Sequence, residues 1–160
     1  IIMKSTGIVR RIDELGRIVI PKEIRRTMHI HEGDPLEIYT EKDGITLKKY
    51  SALNRMAASA QELLQAFYNM YNITAWICDR EGMLASCGQV PESAHQTDEQ
   101  TLALIDGRRP VSLEKETKYL VPITASCDAI GGVIIRDNNI NDSARRGAEL
   151  IARVLALQAE

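Results

Sequence analysis

The sequence predicts an α+β protein of two domains, and three observations support that prediction. The first 50 residues contain four short strand patterns around one short helix. From residue 53 the apolar positions follow a helical period, and strands then alternate with helices. The charge also changes sign: residues 1–50 hold ten Lys and Arg against eight Asp and Glu, whereas residues 51–160 hold ten against fourteen. We therefore predict a front domain at 3–50 and a second domain at 51–160.

The front domain is predicted to have the order ββαββ. Residues 5–11 and 17–20 are rich in β-branched side chains and flank turn residues at 13–16. Pro21 suits the first position of a helix, where its missing N–H costs nothing, and good helix formers follow it. Two alternating segments then surround a turn, which predicts a hairpin within residues 35–48.

The front domain has too few apolar side chains for a core of its own. They are spread over all its predicted elements: Ile8, Ile18, Ile20, Ile24, Leu36, Ile38, Ile45 and Leu47. A unit this small needs a disulfide, a metal or a partner chain. It contains no cysteine, and His29 with His31 supplies too few ligands for a metal. We therefore predict an intertwined homodimer and no metal site.

The second domain begins with a stripe of apolar residues at alternating three- and four-residue steps. Its members are Leu53, Met56, Ala60, Leu63, Phe67 and Met70. Ser51 and Asn54 are the candidate caps of this helix. Two interpretations stay open: the stripe packs on the sheet of its own domain, or it is an oligomerisation helix that assembles dimers into a homotetramer.

The remainder of the second domain alternates strands and helices. Strand patterns occur at residues 74–78, 83–87, 119–123 and 130–135. Helical patterns occur at residues 98–105 and 142–158. The simplest packing of this order is an antiparallel sheet flanked by the first and last helices.

The segment with the clearest chemistry is GIVRRIDELGRIVIPKEIRR at residues 7–26. It resembles the DNA-binding domain of the AbrB family of transition-state regulators. The resemblance continues through GDPLEIY at 33–39 and TLKKY at 46–50. It implies a swapped-hairpin β-barrel made by two chains, and a transcription regulator that binds double-stranded DNA sequence-selectively.

The resemblance also assigns roles to basic residues. It implies DNA contacts by four arginines, Arg10, Arg17, Arg25 and Arg26. Arg11 and Lys4 are expected to add phosphate contacts. Guanidinium groups suit this work because they bind phosphate bidentately and also read guanine edges. The carboxylates of Asp13 and Glu14 repel phosphate, so we expect them to form salt bridges or shape the loop.

The second domain has the character of a GAF domain. WICDR at 76–80 and IGGVI at 130–134 carry that resemblance. The segment between them, residues 88–118, is shorter than its counterpart in GAF domains. An AbrB-type domain followed by a GAF-like domain resembles regulators of endospore-forming bacteria, which implies control of sporulation genes. By the same analogy, the second domain is expected to oligomerise and to sense a signal through a small-molecule ligand.

Catalysis and a cofactor are not predicted. Cys87 with His95 lacks an orienting group, and Cys78 falls in a core strand, where a thiol is inert. We expect Cys78, Cys87 and Cys127 to be buried, reduced thiols. No apolar run reaches the roughly 18–20 residues that span a bilayer. We expect a cytoplasmic protein associated with the nucleoid.

Two other functions are compatible with the front domain. AbrB-type domains also occur in antitoxins that neutralise a toxin and regulate their own operon, but antitoxin tails are typically short and disordered before binding. The periodic pattern of residues 53–160 therefore favours the regulator. The other function is a protein-interaction scaffold, whose front domain oligomerises without binding DNA.

Overall fold

The computed structural model describes residues 6–28 and 30–160, which form two compact units, a front unit (1–50) and a second unit (51–160). The described part of the chain contains the α-helices α1 (Lys22–Thr27), α2 (Ala57–Tyr71), α3 (Glu99–Asp106) and α4 (Asp142–Ala159). Its strands are β1 (Leu36–Glu41), β2 (Gly44–Lys49), β3 (Thr74–Asp79), β4 (Met83–Cys87), β5 (Val111–Leu113), β6 (Lys118–Ala125) and β7 (Asp128–Arg136). Among these described elements, no helix is both long and apolar enough to cross a membrane.

The front unit contains α1 and the β1–β2 hairpin. The hairpin prediction is confirmed, with Leu36 opposite Lys49 and Glu41 opposite Gly44. The two strands predicted before α1 are not formed, because residues 6–20 contain a turn but no strand. A strand needs a neighbouring edge for its backbone hydrogen bonds. The single chain gives residues 6–20 no such edge.

The second unit is built on a five-stranded antiparallel sheet in the order β4-β3-β7-β6-β5. The predicted antiparallel sheet is therefore confirmed. Each predicted strand lies within two residues of an observed one at both ends, and the edge strand β5 was not predicted. It has only three residues, which is too short for an alternating pattern to stand out from a loop.

Helices cover both faces of this sheet. Along β7, Val133 and Ile135 belong to the core under α2 and α4, whereas the intervening Ile134 belongs to the core that contains Ile105 of α3. Successive side chains of a strand point to opposite faces. The central strands therefore carry apolar residues on both faces, which explains their nearly continuous hydrophobic runs.

The stripe at the start of the second unit packs within its own unit. Leu53, Ala60 and Phe67 are at most 4% exposed and belong to its core. Leu63 packs partly against the same core, while Met70 is 75% exposed. The interpretation of the stripe as a seam between subunits is therefore corrected. An apolar stripe of this width can pack either on a sheet or on a second helix, so the pattern alone did not distinguish the two.

The helical stripe also begins later than its apolar pattern predicts. Leu53 precedes a 3-10 turn at Asn54–Met56, and α2 starts at Ala57. Neither Ser51 nor Asn54 caps α2, because Met56 precedes that helix and no side chain caps it. Ser51 Oγ instead accepts a hydrogen bond from the Asn54 backbone N–H at 3.2 Å, at the start of the 3-10 turn.

Candidate nucleic-acid interface

Asp13 organises the loop between the two segments that were predicted as strands. Its Oδ1 accepts hydrogen bonds from the backbone N–H groups of Leu15 at 2.9 Å and Arg17 at 2.8 Å. The loop is closed further by bonds from the Gly16 N–H to the Asp13 carbonyl and from the Asp13 N–H to the Arg17 carbonyl, both 3.0 Å. Gly16 has a φ of +75°, which glycine adopts without steric cost.

The second oxygen of Asp13 binds the side chain of Arg17. Arg17 Nε donates to Asp13 Oδ2 at 2.8 Å. Backbone and side-chain hydrogen bonds from Arg17 hold the pKa of the Asp13 carboxyl below its usual range. The Arg17 side chain nevertheless stays 72% exposed. The expectation that Asp13 shapes the loop and forms a salt bridge is confirmed.

Arg25 and Arg26 stand on α1. Pro21 precedes this helix, and its carbonyl accepts the first helical hydrogen bond from the Arg25 N–H at 3.0 Å. Ile24 is half-buried, whereas both arginines are exposed. The helix therefore presents two adjacent cations to solvent.

Arg10 and Arg11 lie exposed in the segment before the Asp13 loop, which has no regular secondary structure. Within residues 6–28 and 30–160, no carboxylate lies within ion-pair distance of Arg10, Arg11, Arg25 or Arg26. Lys4, the remaining predicted contact, falls outside the described residues. A guanidinium group without a carboxylate partner has its N–H donors available to bind phosphate.

The front unit also exposes much apolar surface. Among its described residues only Pro21 is buried. Val9 is 86% exposed and Val19 is 71% exposed. The neighbouring apolar side chains of the same two segments are also exposed, namely Ile8, Ile12, Leu15 and Ile18. Exposed apolar residues this dense in one small segment are typical of a surface that another chain covers.

Asp34 is a structural residue of the front unit that the sequence did not single out. Its Oδ2 accepts the His31 backbone N–H at 2.8 Å and lies 3.6 Å from Lys49 Nζ. The hydrogen bond from His31 is the main reason why the pKa of Asp34 is lowered. Asp34 thereby joins the turn after α1 to the end of β2.

The second unit contains a cavity of about 70 Å³ between the sheet and the start of α3. Trp76 and Ile134 are its apolar lining residues on the sheet. Four charged residues line it as well, two of each sign: Asp98, Glu114, Lys118 and Arg136. Three hydroxyl side chains and one amide complete its polar lining: Ser93, Gln96, Thr97 and Thr101. The sequence did not indicate this cavity, because its lining comes from segments far apart in the chain.

The charged residues of the cavity are already paired. Glu114 lies 3.8 Å from Lys118 Nζ and 3.6 Å from an Arg136 guanidinium nitrogen. Asp98 caps α3, and its hydrogen bonds with Thr101 are the main reason why its pKa is lowered. Lys118 Nζ also lies 5.9 Å from the centre of the Trp76 ring.

The cysteines occupy two kinds of environment. Cys78 is buried in β3, and burial raises the pKa of its thiol to about 11, as expected for an inert core cysteine. Cys87 is buried against α2, where its Sγ lies 3.4 Å from Gln61 Nε2 and 3.5 Å from Gln65 Oε1. Cys127 is exposed, which corrects the expectation of three buried thiols. It lies in the turn between β6 and β7.

Comparison with known proteins extends the similarity beyond the front unit. The chain is 40% identical to "Stage V sporulation protein T" of Bacillus subtilis strain 168, over 99% of each chain. A 48-residue segment is 67% identical to "Transition state regulatory protein AbrB" of the same organism, covering 30% of this chain and 50% of that protein. Residues 9–53 match the family described as "Antidote-toxin recognition MazE, bacterial antitoxin".

The second unit resembles a known structure in its fold. The chain is similar to the GAF domain from Acinetobacter phosphoenolpyruvate-protein phosphotransferase, with a TM-score of 0.52 and 15% identity. The match covers 70% of this chain and 84% of that one. At this identity the similarity shows the fold alone, and the predicted GAF-like fold is confirmed.

Proposed function

Because the chain belongs to the family of Stage V sporulation protein T and carries an AbrB-type domain, we propose that it regulates sporulation genes by binding double-stranded DNA. The proposal assigns DNA binding to the front unit, with contacts by Arg10, Arg17, Arg25 and Arg26 and auxiliary contacts by Arg11 and Lys4. It assigns assembly and signal sensing to the second unit.

One observation carries the DNA-binding part of the proposal. Four exposed arginines of the front unit, Arg10, Arg11, Arg25 and Arg26, pair with no carboxylate in the described part of the chain. A homodimer doubles that number. If the dimer neutralises six phosphates, a plot of the logarithm of the binding constant against the logarithm of the salt concentration has a slope of about −5. Binding should therefore weaken strongly as salt rises.

The exposed apolar segments support the dimer. Residues 6–20 form no strand, lack a partner edge and expose six large apolar side chains. Pairing them with a second copy gives their backbone groups hydrogen-bond partners and removes that apolar surface from water. The proposed dimer is therefore the swapped-hairpin barrel that the AbrB resemblance implies.

The test of DNA binding compares two double arginine variants of the full chain. Arg25→Ala with Arg26→Ala should lower duplex affinity at least tenfold at moderate salt and make the salt slope shallower, by about one for each phosphate that is no longer neutralised. Arg108→Ala with Arg109→Ala removes an adjacent exposed pair from the second unit and is the matched control. Fluorescence anisotropy at several salt concentrations measures both effects.

Either of two results would contradict this assignment. Unchanged affinity of the Arg25/Arg26 variant would remove α1 from the interface. If the wild-type chain does not bind duplex DNA at low salt, the DNA-binding function is rejected and the protein-interaction scaffold is favoured.

We further propose that the cavity at the start of α3 receives the sensed ligand. Its small volume favours a small polar molecule, and one that carries both a positive and a negative group can replace the ion pairs that Glu114 makes with Lys118 and Arg136. Arg136→Met should weaken the response of DNA affinity to such a ligand without altering ligand-free DNA binding. A screen of small zwitterions by thermal shift would identify the ligand, and a full panel without a shift would contradict the proposal.

Assembly beyond the dimer is assigned to the exposed side of α4 and the end of α2. Leu150 and Leu157 are 65% and 57% exposed on α4, and Met70 is exposed on α2. Leu150→Asp with Leu157→Asp should convert tetramers to dimers in light scattering. An unchanged mass would remove this surface from the proposal.

The family match at residues 9–53 favours one second candidate, an antitoxin. Residues 51–160 form a unit with a buried core, unlike a short tail that folds on binding. Limited proteolysis of the purified chain separates the two functions. Rapid loss of residues 51–160 that a co-encoded partner prevents would favour the antitoxin.

A further inference from the structure

Among the described arginines assigned to DNA, Arg17 differs from the rest. It alone is held by a carboxylate, through the 2.8 Å bond from its Nε to Asp13 Oδ2. The same carboxylate binds the backbone N–H of Arg17 through Oδ1, so the main chain and the side chain of Arg17 are fixed by one residue. The other four arginines extend into solvent without such a partner.

The geometry of the bond leaves the recognition end of Arg17 available. Asp13 engages Nε, and the described residues place no other acceptor on the guanidinium. The two terminal nitrogens can therefore still donate a pair of parallel hydrogen bonds, which is how arginine reads a guanine edge. A guanidinium already fixed in its plane also loses less conformational freedom on binding.

We propose that Asp13 is a positioning residue that makes Arg17 the sequence-reading arginine of the front unit, while Arg10, Arg11, Arg25 and Arg26 supply sequence-independent affinity. The inference rests on the proposed DNA-binding function and deepens it.

The proposal predicts effects of opposite sign on two kinds of DNA. The pKa of Asp13 is lowered, so its carboxyl is ionised, and this negative charge lies on the arginine that is proposed to contact DNA. Its repulsion of phosphate weakens binding to any duplex. Through Arg17, however, the same residue strengthens binding to the right sequence. Neutralising Asp13 should therefore raise affinity for unrelated DNA and lower affinity for the preferred DNA.

The test uses the full chain and two duplexes. One duplex is selected from a randomised pool by the wild-type protein, and the other has the same composition in shuffled order. Asp13→Asn keeps one oxygen to accept the backbone N–H groups but cannot accept from Nε in the same way. It should bind the selected duplex about tenfold more weakly and the shuffled duplex more tightly.

The matched control removes a neighbouring charge. Glu14 is exposed and carries no side-chain hydrogen bond or ion pair in the described part of the chain. Glu14→Gln should therefore strengthen binding to both duplexes equally.

A second variant keeps the test valid if Asp13→Asn disturbs the loop. Arg17→Lys retains the charge and leaves the Asp13 carboxylate in place, yet it cannot form the paired hydrogen bonds. It should lose the preference for the selected duplex, and adding Asp13→Asn to it should change that preference no further. Preserved preference in Arg17→Lys, or parallel changes on both duplexes in a folded Asp13→Asn, would overturn the inference. Failure of the wild type to bind either duplex would instead reject the proposed function.

Discussion

Ser51 Oγ donates a hydrogen bond to Asp79 Oδ2 at 2.9 Å and so fixes the first residue of the second unit to the end of β3. Asp79 is the buried charged residue of the described chain, at 7% exposure. Its other oxygen accepts the backbone N–H groups of Glu81 and Gly82, and its carbonyl accepts the hydroxyl of Thr97 at 2.8 Å. Since Thr97 lines the cavity, Asp79 joins the cavity wall to the first residue of the second unit.

Asp79→Ala should lower the free energy of unfolding of the second unit by about 2–4 kcal/mol, because the two backbone N–H groups lose their acceptor in a part-buried site. Ser51→Ala should cost at most about 1 kcal/mol, since Asp79 keeps its backbone partners. Urea unfolding of the full chain followed by Trp76 fluorescence measures both. Equal losses in the two variants would contradict this account of Asp79.

Phe67→Ala should destabilise the second unit by about 3–5 kcal/mol, because Phe67 is 4% exposed and packs against Tyr71 with ring centres 4.8 Å apart. Met70→Ala, three residues further along α2, should change the same quantity by less than about 0.5 kcal/mol because Met70 is exposed. Denaturant melts of the two variants compare them directly. Similar stabilities would mean that the stripe does not pack within its own unit.

This contrast shows what the apolar pattern could predict and what it could not. The spacing of Leu53 to Met70 predicted a helix with one apolar side, and α2 has one. The spacing did not say which surface meets that side, because a sheet and a second helix accept the same period. Packing decides it: the core that receives Phe67 is completed by Ala148 and Ile151 of α4, more than 80 residues away.

The cysteines should react in a defined order with iodoacetamide. Cys127 is exposed and should be alkylated in the folded protein, whereas Cys78 should react only after unfolding, because it is buried and its pKa is raised to about 11. Mass spectrometry of time-resolved samples distinguishes the sites. Cys127→Ser is the control, since it should remove the early modification. Early labelling of Cys78 would contradict the buried β3 environment.

Stability should also fall at high pH through Tyr119. Its hydroxyl donates to Glu149 Oε1 at 2.6 Å, and burial with that hydrogen bond raises its pKa from 10 to about 12. A folded-state pKa above the unfolded one means that the stabilisation is complete below pH 10 and is lost as pH rises towards 12. Urea unfolding at increasing pH should show a smaller decline in Tyr119→Phe than in the wild type. Identical declines would exclude Tyr119 as the cause.

The front unit shows the opposite relation between pattern and structure. Its β-branched segments predicted two strands, yet residues 6–20 form none in the single chain. The sequence shows the local preference for a strand, but a strand also needs a neighbouring edge, and the described part of the single chain offers none. The turn that follows Asp13 was predicted from the sequence and is observed, because the hydrogen bonds that form it are local. By contrast, the hydrogen bond from Arg17 Nε to Asp13 could not be identified from the sequence, because it depends on side-chain geometry.

The proposed dimer predicts that a double change in the second of these segments will separate the chains. Ile18 and Val19 are 53% and 71% exposed in the single chain, so Ile18→Asp with Val19→Asp would be nearly neutral if the protein were a monomer. Neighbouring side chains of a strand face opposite ways, so one of the two must enter a paired barrel. Burying an unpaired carboxylate there is costly enough to disfavour association. Sedimentation velocity should show loss of the front-unit association and anisotropy the loss of DNA binding, whereas Lys42→Asp in the exposed β1–β2 turn should keep the assembly. Intact association in the double variant would show that this segment is not the dimer interface.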